Sequence, residues 1–116
     1  MEMLPFPLPK KNEVIEALQK AQKESEPSQI IMEGYSVLIQ TVSVLSLQET
    51  DKLSIRKTLR YAAKSQGADD ELVKTHLNTI MRIRNDVVHT DYKATDEDAK
   101  VFLTVVKDLL KLTGCI

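Results

Sequence analysis

The sequence predicts an all-α fold, an up-and-down bundle of four to five helices, and three observations point there. Apolar residues recur at three- and four-residue steps through most of the chain, which is the period of one helical face. Pro27, Gly67 and Gly114 fall at the ends of the periodic stretches, where helices start and stop. No stretch alternates convincingly as a strand, so a helical bundle follows by elimination. At 116 residues the chain is long enough to bury a core without disulfides or a metal. The reading is an extended N-terminal arm over residues 1–9 and a single helical domain over 10–116.

In the arm, Pro5, Pro7 and Pro9 keep the backbone extended and Leu4, Phe6 and Leu8 alternate along it. Such an arm packs on its own domain or grips a second subunit. The first helix, over about residues 10–25, carries Val14, Ala17, Leu18 and Ala21 inward and lysines and glutamates outward. Glu26-Pro27-Ser28 breaks it, because proline disfavours helix in the residue before it and suits a first turn. The second helix runs to about residue 47, with Ile31, Tyr35, Leu38, Val42 and Leu45 on one face and Ile30, Val37 and Val44 widening it. Its β-branched residues would also suit a strand; length and period favour a helix. Its thin polar side, chiefly Glu33, Ser36, Gln40 and Ser43, leaves room for cover by another helix or subunit.

A third helix, over about residues 51–66, turns Ile55, Leu59, Ala62 and Ala63 inward. Its basic residues are Lys52, Arg56, Lys57, Arg60 and Lys64, of which the last four share a face. That face is either solvated or a track for phosphates. Gly67 ends the helix, and Asp69, Asp70 and Glu71 place negative charge at the start of the next. The fourth helix, over about 69–88, points Val73, Leu77, Ile80 and Val87 inward. Thr95-Asp96-Glu97-Asp98 reads as an N-cap, and a fifth helix buries Ala99, Phe102, Val105, Val106, Leu109 and Leu110 before Gly114.

The 16 basic and 17 acidic residues give a net charge of -1, so any affinity for nucleic acid rests on local patches and not on a global field. No segment approaches the length a membrane helix needs, and no signal-like apolar run is present. A single cysteine, Cys115, fits a reducing compartment. The expectation is a cytoplasmic protein without membrane contact. Three tyrosines and two phenylalanines argue against a base-stacking platform of the single-strand-binding kind.

Chemistry concentrates in M-R-I-R-N-D-V-V-H-T-D-Y, residues 81–92. At about 100° per residue, Arg84 shares the face of Val73, Leu77 and Ile80, while Arg82, Asn85 and His89 share another. A guanidinium aimed at apolar surface is paired, snorkels, or faces an anion or a second chain. His76 reads as structural. Too few ligands stand at metal spacing around His89 and Asp91, so neither a metal nor a cofactor is implied, and no serine sits in a nucleophile elbow.

Arg84-Asn85-Asp86-Val87-Val88-His89 matches the R-x4-H motif, with Asn after Arg, of the HEPN superfamily. From about Pro27 to Leu112 the chain also resembles that family, in the proline opening an apolar second helix and the last amphipathic helix after a polar turn. The resemblance implies a homodimer whose motif segments face each other across a shared cleft. It further implies metal-independent endoribonuclease activity, or a non-catalytic dimerisation or nucleotide/RNA-binding module working with an antitoxin or other protein partner. By that likeness His89 would move protons at an RNA 2′-hydroxyl or leaving oxygen, Arg84 would bind the scissile phosphate, and Asn85 would orient one of these groups. Arg82, Arg56, Lys57, Arg60 and Lys64 would add RNA contacts. The toxin branch of the family places one residue between His and Tyr, whereas Thr90 and Asp91 both precede Tyr92.

Overall fold

The computed structural model describes residues 11–45, 55–89 and 92–116. The N-terminal arm, Lys52, Thr90 and Asp91 lie outside them. Five helices are present and no strand occurs among the described residues.

Helix α1, Lys11–Gln22, buries Val14, Leu18 and Ala21. It tightens at its end into i→i−3 bonds, Lys23 N to Lys20 O and Glu24 N to Ala21 O, both 3.2 Å, three residues short of the expected boundary. Helix α2, Pro27–Leu45, begins with its proline in the first turn, where a missing N–H costs nothing. Its buried side holds Ile31, Val37, Leu38 and Val42 at helical spacing, so period outweighs β-propensity here. Thr41 is buried as well, its hydroxyl donating to Val37 O at 2.9 Å.

Helix α3, Ile55–Ser65, buries Thr58, Leu59, Ala62 and Ala63. It closes with Ala68 N to Ala63 O and Gly67 N to Lys64 O, each 3.0 Å. This paired closure needs a left-handed residue, and Gly67 supplies φ 79°. Helix α4, Asp70–Val88, is capped by Asp69, whose side chain accepts from Glu71 N. Helix α5, Asp96–Leu112, starts with a reciprocal capping box between Thr95 and Asp98. It ends with Cys115 N on Leu110 O and Gly114 N on Lys111 O, again around a glycine at positive φ, 81°.

Helix α2 is the centre of the bundle: it touches all four others, while α4 also packs on α3 and α5. Phe102, Ile31, Leu38, Leu59, Leu77, Ile80, Leu109 and Leu110 are fully buried, each burial contributing about 1.5–3 kcal/mol. The closest approach is that of α2 to α5 at Gly34. A Cβ there would stand 2.9 Å from Leu103 Cδ2 and 3.2 Å from Phe102 Cε1.

On α4 the expected inner residues Val73, Leu77 and Ile80 are buried, and Ile83 joins them, while Val87 is half-buried. The covered side therefore turns towards Ile83 at the C-terminal end. That turn leaves Arg84 at the margin of the core.

Candidate nucleic-acid interface

Arg84 projects from the half-covered side of α4 onto Tyr35 of α2, its guanidinium carbon 5.0 Å from the ring centroid. This is cation–π distance. Its Nε is buried and has no hydrogen-bond partner, and Nη1 makes a long contact, 3.4 Å, with Asn85 Oδ1. No carboxylate among the described residues pairs with it. The arginine is thus oriented by an aromatic face and a neighbouring amide, with its positive charge not neutralised by any described acid.

His89 is the C-cap of α4. Its backbone is extended, φ −78° and ψ 132°, its N–H bonds Asp86 O, and its side chain is exposed. The helix ends at Val88, so His89 leaves the ideal helical position that would have set it about 140° from Arg84. Arg82 and Asn85 are exposed and lie on one stripe of α4 with Asn78, within about 60° of one another.

The basic face of α3 divides in two. Arg60 donates to both carboxylate oxygens of Asp70, Nε to Oδ1 at 3.0 Å and Nη2 to Oδ2 at 2.8 Å. That bidentate bond raises the Arg60 pKa above its ordinary value and lowers that of Asp70. Arg56 Nη1 reaches Asn78 Oδ1 at 2.8 Å. Since Arg60 meets Asp70 and Arg56 meets Asn78, α3 runs antiparallel to α4. Arg56 thereby heads the Asn78–Arg82–Asn85 stripe, whereas Arg60 lies about 21 Å back along α4 from Arg84, at 1.5 Å per residue. Lys57 and Lys64 accompany Arg60 around a shallow depression and not the motif.

Beyond His89 the turn is fastened to α5. Tyr92 N bonds His89 O at 3.2 Å, and the Tyr92 hydroxyl donates to Asp98 Oδ2 at 2.5 Å. This bond, then burial, raises the Tyr92 pKa; the same bond, then the Thr95 N–H, holds Asp98 below the usual carboxylate range. The charge of Arg82 favours ionisation of both, which locates it beside this pair.

Four partners were not singled out from the sequence: Tyr35 beneath Arg84, Asn78 on Arg56, Asp70 on Arg60, and Asp98 on Tyr92. Only the last two had a local signal, in a run of acids opening a helix. Tyr35 and Asn78 meet their arginines through packing between helices.

Among the described residues no group of three or more His, Cys, Asp or Glu could hold a metal ion, and no helix is long and apolar enough to cross a membrane. No protein-family model, curated protein or solved structure matches the chain, so its chemistry is argued from these residues and their geometry.

Proposed function

We propose that this chain is a HEPN-like, homodimeric, metal-independent endoribonuclease whose site is shared between two protomers at the ends of their α4 helices. The observation that carries this reading is Arg84: a guanidinium held over Tyr35, its Nε buried and unpartnered, with no described carboxylate against it. An arginine oriented in this way is suited to a phosphate. Arg84 would bind the scissile phosphate, Asn85 would hold the guanidinium through its side-chain oxygen, and the exposed His89 would exchange protons.

In the reaction the RNA 2′-oxygen forms a bond to phosphorus while the bond to the 5′-oxygen breaks. The 2′-hydroxyl proton passes to a base and the leaving oxygen takes one from an acid. With one His89 from each protomer, both duties are filled and the product is a 2′,3′-cyclic phosphate. Arg82 and Arg56, on the adjoining stripe, would contact the RNA on the way in.

The test is cleavage of labelled RNA in EDTA. Arg84→Ala is expected to lower the rate by about 10²- to 10³-fold and His89→Ala by about 10²- to 10⁴-fold, both with sedimentation unchanged as dimers. Equal cleavage by wild type and both variants would sink the reading.

The second reading is a non-catalytic RNA- or nucleotide-binding module acting with a protein partner such as an antitoxin. Asp86 and Asp98 favour it, since both lie close enough to Tyr92 to raise its pKa and weaken the positive field at the end of α4. It predicts RNA binding by wild type with no cyclic phosphate formed.

A further inference from the structure

A second feature lies at the other end of the α3–α4 pair. Lys57, Arg60, Tyr61, Lys64, Ala68 and Asp70 line an open depression of about 380 Å³. Lys57, Tyr61 and Lys64 are spaced i, i+4 and i+7, so they form one stripe of α3, with the two lysines about 10.5 Å apart along the axis and the tyrosine between them. Tyr61 is 60% exposed, a large aromatic surface left towards water on a helix whose other flank is buried.

The two acids at the mouth are already engaged. Asp70 takes the fork of Arg60 and lies 3.9 Å from Lys74, which also reaches Glu71 at 3.6 Å. The bidentate bond fixes Arg60 as a wall beside the tyrosine. Cationic character facing the depression therefore resides in Lys57 and Lys64, on either side of an aromatic plane. Every base has a face that can stack on such a plane, and flanking phosphates suit flanking lysines. A double helix hides its base faces, so this arrangement fits an unpaired nucleotide.

We propose that this depression is an accessory site for single-stranded RNA, in which one base stacks on Tyr61 and Lys57 and Lys64 hold the phosphates on either side. It rests on the RNA reading given above and adds a contact remote from the motif. One exposed tyrosine is no extended stacking platform, in keeping with the few aromatics in the chain, but it is sufficient for one base. Strand would then run from here along the antiparallel α3 and α4, past Arg56, towards Arg82 and Asn85. Substrates too short to cover that path would be cut without its help.

The experiment is fluorescence anisotropy on the full chain with a short, unstructured RNA made uncleavable by 2′-O-methyl groups, beside a duplex of the same sequence. Tyr61→Ala is expected to weaken single-strand binding by about 5- to 100-fold, Tyr61→Trp to restore it, and duplex binding to stay unchanged. Lys64→Ala is expected to reduce the salt dependence of log K by about 0.7, one phosphate contact on a single strand. Circular dichroism melts check that the exposed substitutions leave the fold intact. Single-strand affinity equal to wild type in Tyr61→Ala overturns the site. If that happens while Arg84→Ala still abolishes cleavage, the nuclease reading stands alone. If Tyr61→Ala weakens binding and nothing is cleaved, the accessory site stands and the nuclease reading falls. No RNA binding by wild type overturns both, and loss of a protein partner's binding with no change in RNA affinity assigns the face to that partner instead.

Discussion

At the scale of single residues, the end of α4 is a set of polar groups held by one another. Arg84 leans on Tyr35, and Tyr92 is bound to Asp98, which also accepts from Thr95 N at 3.0 Å. Asp98 is held below its ordinary pKa of 3.8, first by the Tyr92 hydroxyl. A carboxyl depressed in the folded state adds stability that is present above the unfolded value and is lost as pH falls through the folded one. Thermal melts between about pH 6 and pH 2 are therefore expected to show stability dropping below about 3.8. Asp98→Asn is expected to flatten part of that limb, the remainder belonging to Asp70, whose pKa is lowered by Arg60. An acid limb identical to wild type would show that Asp98 has the same affinity for protons in the folded and unfolded chain.

At the scale of elements, α2 decides how tightly the bundle closes. Gly34 lacks the side chain that would otherwise hold α2 away from α5, and its neighbours Leu103 and Phe102 are buried. Gly34→Ala sets two effects against each other. Alanine improves helix propensity by about 1 kcal/mol, while overpacking a closed core costs about 1–3 kcal/mol. Phe102 is fully buried and has little room to yield, so packing is expected to win, with a net loss of about 1 kcal/mol and a lower Tm. A gain in Tm would mean that Leu103 swings aside freely. Alanine at the exposed position Ser36 serves as the control on the same helix, with no close packing to oppose it.

At the scale of the whole molecule, one core cluster runs from Val14 of α1 to Cys115 after α5, so the helices are expected to unfold as one unit. Cys115 reports on this directly. It is 0% exposed, its sulfur accepts from the Thr113 hydroxyl at 3.2 Å, and burial pushes its thiol pKa up. The native thiol is expected to resist a thiol-reactive dye, and labelling in urea is expected to follow the same midpoint as the loss of helical dichroism. Labelling well before that midpoint would show the C-terminal turn opening by itself.

The five helices were legible in the sequence because each carries its own period and its own stops: Pro27 opens α2, Gly67 and Gly114 close α3 and α5, and Thr95 with Asp98 caps α5. Those signals act within a turn or two of backbone, where local sterics and hydrogen bonding dominate. The misplacement of Arg84 on an apolar face was legible for the same reason, as was the separate stripe of Arg82 and Asn85. What held Arg84 was not, because Tyr35 lies on another helix and reads as a core residue from its spacing alone. Likewise the four basic residues on one face of α3 look equivalent along the chain. Only the antiparallel docking of α3 on α4 commits Arg60 to Asp70, turns Arg56 towards the stripe, and leaves Lys57, Tyr61 and Lys64 around a separate depression. Local periodicity determined which side of each helix is apolar; the packing of one helix on another determined which polar groups meet, since that depends on residues far apart in sequence.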